Sequence, residues 1–165
     1  MYLSQDSVPG RMRSAFTLVE LIAVMVVLAI LAGVAAPRFF SYGDQARTAA
    51  LEGSLGGMRS AIAQFYAVRA SEDSPTYPTE VELETVGVVM QESLPKNPYN
   101  GLSNVRRITS LNNATARNVS SSSSYGWNYY YNNASDPPVA IIWANSDDET
   151  DATDNNGDTV TANDF

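Results

Sequence analysis

The sequence predicts an α+β chain. One long N-terminal helix, apolar all round in its first half, packs its second half on a small antiparallel sheet of about three strands. Three observations predict this. Residues 16–36, FTLVELIAVMVVLAILAGVAA, form a run of 21 residues with a single charge, Glu20. Leu51, Leu55, Met58, Ile62 and Phe65 then follow one another at spacings of 4, 3, 4 and 3, the period of a helix with one apolar face. Late in the chain Tyr125, Trp127, Tyr129 and Tyr131 alternate with Gly126, Asn128, Tyr130 and Asn132, and residues 139–144 are apolar. A period of two is that of a half-buried strand, and two such runs joined by a turn make an antiparallel hairpin.

Residues 1–15 read as a leader. Pro9-Gly10 breaks helix, and Arg11 and Arg13 place positive charge just ahead of the apolar run. At about 1.5 Å per residue that run covers roughly 30 Å, the thickness of a bilayer's hydrocarbon core. The basic flank orients the span with its N-terminus in the cytoplasm. A secretory signal peptide is the other reading, with residues 32–36 as its cleavage region, but its apolar centre is shorter, about 7–15 residues. Glu20 stands out, because a carboxylate in such a run costs about 2.5–3.5 kcal/mol and usually has a function. Lying four residues into the run, it is also placed to reach the interface and water.

Residues 13–22, Arg-Ser-Ala-Phe-Thr-Leu-Val-Glu-Leu-Ile, closely resemble the processing and methylation site of type IV pilins and of the pseudopilins of type II secretion. The resemblance implies a pilin-like fold. It also implies that a prepilin peptidase cuts between Ala15 and Phe16 and methylates the new amino group of Phe16. Glu20 then pairs with the terminal amine of a neighbouring subunit during assembly. The residue before the cut is usually Gly in that family; here it is Ala15, which is also small.

Beyond the span, Gly33 and Pro37 interrupt the helical pattern. Pro37 has no N–H and its ring crowds the preceding turn, so a kink is expected there; the alternative is that Pro37 ends the membrane helix. The 4-3-4-3 pattern indicates that the helix resumes and runs to about residue 70, where Ser71-Glu72-Asp73-Ser74-Pro75 stops it. Gly53, Gly56 and Gly57 weaken that helix by about 1 kcal/mol each relative to Ala, and could serve close packing. Thr79 with Glu82 fits a capping box, which predicts a short helix over 80–86. Residues 94–101, Leu-Pro-Lys-Asn-Pro-Tyr-Asn-Gly, form a turn-rich loop. With Tyr77-Pro78-Thr79 they resemble the pseudopilin G branch of type II secretion. Residues 105–111 are strand-like, and residues 112–124, rich in Asn and Ser, read as a mobile loop. The aromatic strand is expected to pack in the core; its alternative is a stacking surface for sugars or bases. The sequons at Asn113, Asn118 and Asn133 are at chance level for such a composition.

The chain has 165 residues, no Cys and no His. That removes disulfides, thiol nucleophiles, His ligands and the usual general base, so an enzyme is not expected. The net charge is −8, which disfavours nucleic acid as a partner. From Asp136 onward the chain holds eight of its eighteen acids and no Lys or Arg. Asp147, Asp148, Asp151, Asp154 and Asp158 could supply oxygen ligands to calcium, without matching an EF-hand; the alternative is a solvated tail whose like charges repel. No other cofactor is required.

The expected organisation is a leader at 1–15, a membrane or filament-core helix at 16–37, its soluble half at 38–74, an α+β head at 75–145 and an acidic loop or tail at 146–165. The expected function is that of a prepilin-like structural subunit: it spans the bacterial inner membrane once, with its C-terminus in the periplasm, and then enters a periplasmic or extracellular filament. Its expected partners are further copies of itself, the prepilin peptidase, an inner-membrane assembly platform and minor pilins. The assembly is a type II secretion pseudopilus or a type IV pilus for adhesion, motility or DNA uptake. A membrane-anchored carbohydrate-binding protein is the alternative from another class.

Overall fold

The computed structural model describes residues 16–120 and 124–165. The expected leader, with Ala15, and Ser121, Ser122 and Ser123 of the serine run lie outside them. Helix α1, Leu18–Ser71, is a single helix of 54 residues. It continues through Gly33 and Pro37, where an interruption was expected; a proline removes one backbone hydrogen bond, and the flanking turns keep theirs. The chain divides into two compact units between Phe39 and Phe40, and α1 contributes residues to both.

The second unit carries α2, Glu80–Glu84, then β1, Val105–Ile108, α3, Leu111–Thr115, β2, Trp127–Asn132, and β3, Val139–Ala144. Helix α2 begins as its sequence predicts. Thr79 and Glu82 form the capping box in both directions, with Glu82 N–H donating to Thr79 Oγ1 at 3.2 Å and Thr79 N–H to the Glu82 carboxylate at 2.9 Å.

The three strands form a sheet in the order β1-β2-β3. Strands β2 and β3 are antiparallel, with Trp127 opposite Ala144 and Asn132 opposite Val139. Strand β1, however, runs parallel to β2, with Val105 opposite Trp127 and Ile108 opposite Tyr130. The sheet is therefore mixed, where an antiparallel one was expected. The 18 residues between β1 and β2 contain α3 and make a crossover, which a parallel pair requires. Residues 111–115, of which Leu111 was expected in a strand and 112–115 in a mobile loop, are helical because the Ser110 side chain caps them by accepting from Asn113 N–H.

The core lies on one face of this sheet. Leu51, Leu55, Met58 and Ile62 of α1 pack there with Trp127 and Tyr129 of β2 and Ile142 and Ala144 of β3. On the other face Tyr130 and Trp143 pack on Ala114 of α3. Residues Trp127 to Tyr130 are consequently all buried, so β2 is covered on both faces rather than one.

Residues 149–161 differ most from expectation. They form a hairpin of β4, Glu149–Thr153, and β5, Thr159–Thr161. A turn of 3₁₀-helix, Ala162–Asp164, follows and places Ala162 in the core. The β-branched Thr159, Val160 and Thr161 favour a strand, and the like charges stay at the surface.

With no disulfide, asparagines fasten the 94–101 loop. Asn97 is fully buried; its Nδ2 donates to Gly126 O at 2.9 Å and its Oδ1 accepts from Tyr99 N–H at 3.0 Å. Asn100 Nδ2 donates to the carbonyls of Tyr125 and Asn145, both at 3.1 Å. Trp127 Nε1 donates to Pro95 O at 2.9 Å. Gly101, at φ +74°, makes the turn. The loop is thus bound to the start of β2 by side chains that a sequence reading treats only as turn formers.

Candidate functional site

The first unit is the N-terminal part of α1. Residues Leu18–Ala36 are long and apolar enough to cross a membrane, with a mean hydropathy of 2.8. The large apolar side chains from Phe16 to Val34, thirteen of them, are 50–86 % exposed. Removing them from water is worth about 1.5–3 kcal/mol each, on the order of 20–40 kcal/mol in total. The insertion cost of one carboxylate, about 2.5–3.5 kcal/mol, is small beside that. Such a surface is stable only when covered by lipid or by other apolar helices.

Glu20 lies at the start of this helix. Thr17 N–H donates to Glu20 Oε2 at 3.0 Å, Thr17 Oγ1 donates to the same oxygen at 3.1 Å, and Glu20 N–H donates to Thr17 Oγ1 at 3.2 Å. This is a second capping box, with Thr17 and Glu20 in the places that Thr79 and Glu82 hold at α2. It satisfies the carboxylate and two orphan N–H groups of the helix end within one chain. The Thr-x-x-Glu signature is plain at residues 17–20, yet the sequence reading applied it only at residues 79–82. Phe16, which precedes the box, is exposed.

The five acidic residues considered for calcium do not converge. Among the described residues no group of three or more His, Cys, Asp or Glu is placed to hold a metal ion. Asp154 instead closes the β4–β5 turn: its Oδ1 accepts from Asn156 N–H at 2.8 Å and from Asp158 N–H at 2.9 Å. Those backbone donors, Asp158 first, hold its carboxyl below the usual range. Asp148 accepts from Ser146 Oγ at 2.6 Å, and Asp151 N–H donates to Thr48 Oγ1 at 3.4 Å.

The aromatic strand offers little surface for stacking a sugar, since Trp127 and Tyr129 are fully buried. Tyr129 OH donates to Pro78 O at 3.0 Å. Burial, then neighbouring Tyr131, Tyr77 and the acids of α2, push its pKa up.

Residues 10–36 match the family model described as the prokaryotic N-terminal methylation motif. No curated protein and no solved structure matches the chain.

Proposed function

We propose, for a chain whose residues 10–36 match the prokaryotic N-terminal methylation motif, that it is a structural subunit of the type IV pilin and pseudopilin kind, built to be cut, methylated and polymerised. A prepilin peptidase cleaves between Ala15 and Phe16 and methylates Phe16. The subunit is held in the inner membrane by the apolar part of α1, with its C-terminus in the periplasm. It then leaves the bilayer for a filament in which the same apolar surface is covered by copies of itself. An inner-membrane platform and minor pilins assist that transfer.

One observation carries this reading. A helix exposes apolar side chains on every side over residues 16–34, with a single carboxylate at its start. Lipid covers such a helix, and so does a bundle of identical helices. Only the second gives Glu20 a cationic partner, the amine of Phe16 on a neighbouring copy. In the single chain Glu20 accepts from Thr17 N–H and Oγ1. Pairing with an amine adds a hydrogen bond in which both partners are charged, beside those the carboxylate already accepts from Thr17.

Of the two filaments, a type II secretion pseudopilus is favoured over a surface pilus by residues 77–79 and 94–101, which resemble the pseudopilin G branch. The test is Glu20→Ala: membrane insertion and cleavage continue at close to the normal level while filament yield falls to background. Normal filaments from this variant would refute the role given to Glu20.

A further inference from the structure

The second unit holds a cavity that neither the core nor the apolar helix accounts for. It has a volume of about 260 Å³, and Arg59, Tyr77, Arg117 and Tyr129 line it, with Ile62 and Ile141 on its apolar wall. Arg59 comes from α1, and Arg117 lies two residues past α3. Arg59 Nη2 donates to Ile142 O at 3.3 Å and to Phe165 O, and Arg117 Nη1 donates to Asp164 O. All three acceptors are main-chain oxygens. The ion pair found among the described residues, Arg69 with Glu72, is elsewhere. Counting a charge on Phe165 against Arg59 would still leave Arg117 without an acid in an ion pair among the described residues.

Each guanidinium carries five N–H donors in a rigid fork, so most of those on Arg59 and Arg117 are uncommitted. The two groups are close enough to repel. Burial first, and then the charge of Arg117, lower the pKa of Arg59. Arg117 also has a left-handed backbone, with φ +48°, held by its N–H to Ala114 O at 3.2 Å and by Asn163 Nδ2 donating to its carbonyl at 3.1 Å. Non-glycine residues kept in such a conformation collect at binding sites.

We propose that Arg59 and Arg117 form a binding site for a carboxylate. Two forks matched to a planar anion give paired, charge-assisted hydrogen bonds, and Ile62 and Ile141 accept a short apolar stem. The cavity is too small for a polyanion, which the net charge of −8 would also repel. The carboxylate has two sources: an acidic side chain of a second copy, for which residues 147–158 are the richest supply, or a small free carboxylate.

The test is a titration of the full chain in detergent with propionate, against chloride at equal ionic strength, reading the arginine Nε–H signals by NMR. The expected result is a saturable shift at Arg59 and Arg117 that weakens by about ten-fold or more in Arg117→Gln, the loss of charge-assisted hydrogen bonds worth about 1.5–3 kcal/mol. No saturable shift in the unmodified chain overturns the site, and so does an unchanged response in Arg117→Gln. The titration uses unassembled chain, so it can be read whether or not filaments form. The source is decided in filaments mixed from Ala63→Cys, at the cavity lip of a chain with no native cysteine, and one of Asp147→Cys, Asp151→Cys and Asp158→Cys, taken in turn. A disulfide between them assigns the site to a neighbouring copy. A positive titration without that disulfide assigns it to a free carboxylate.

Discussion

Asn97 and Gly126 show how single residues hold this unit. Asn97 makes four hydrogen bonds from a fully buried position: N–H to Leu102 O, O from Gly101 N–H, and its two side-chain contacts. Asn97→Ala leaves Gly126 O its bond from Asn145 N–H but strands Tyr99 N–H, at about 1–3 kcal/mol, and urea unfolding should show a loss of that size. Gly126 is needed for space. A Cβ there would lie 2.0 Å from the main-chain oxygen of Leu102, which cannot yield as a flexible side chain would. Gly126→Ala is expected to cost about 3 kcal/mol or more, the upper range of overpacked substitutions. The sequence flagged the 94–101 loop by its Pro, Asn and Gly content, but nothing in it shows that Leu102 O meets Gly126, because that approach joins residues distant in the chain. The box of Thr17 and Glu20 is the opposite case, written in four consecutive residues.

At the scale of elements, periodicity was legible where one face is buried along a whole segment. Leu51, Leu55, Met58, Ile62 and Phe65 were read as one stripe; the first four are buried together, while Phe65 is only half-buried. Leu55→Ala should therefore destabilise the unit by about 2–5 kcal/mol. Gly53 and Gly57 lie outside that stripe, and a Cβ at either meets nothing within 4 Å. Within one chain they serve no close packing. Gly53→Ala should stabilise the isolated chain by up to about 1 kcal/mol, measured as a higher unfolding midpoint in urea. Helix α3 and the β4–β5 hairpin were missed for a common reason. Each is only three to five residues per segment, too short for a period to register, and each is fixed by caps and turns. In the hairpin the fixing group is the Asp154 carboxylate. Its pKa is depressed in the fold, so the stability it contributes is present above the ordinary Asp value, near 3.9, and is lost as pH falls through the lower folded value. The hydrogen-exchange protection factors at Asn156 and Asp158 should fall on acidification, before those of the core amides of β2. Simultaneous loss at both places would contradict the assignment.

At the scale of the molecule, the fold class and the long helix followed from the sequence, while the direction of β1 did not. Strand propensity at residues 105–108 says nothing about pairing, and only the length of the connection to β2 hinted at a crossover. The sheet's alkaline limit can be derived in the same way. The Tyr129 pKa is raised, so the stability it adds is full below the ordinary Tyr value, near 10, and is lost as pH rises beyond it toward the folded value. The unit should unfold at high pH as Tyr129 ionises, and Tyr129→Phe should move that transition upward.

The central claim is that the exposed apolar helix belongs to a processed filament subunit. Intact mass and N-terminal sequencing of the protein recovered from its membrane or filament fraction test it most directly. The account predicts a mature chain that begins at methylated Phe16, with the 15 residues before it removed. A chain still beginning at Met1, or one cut near Ala36, would contradict it, since neither supplies the amine that Glu20 is proposed to meet.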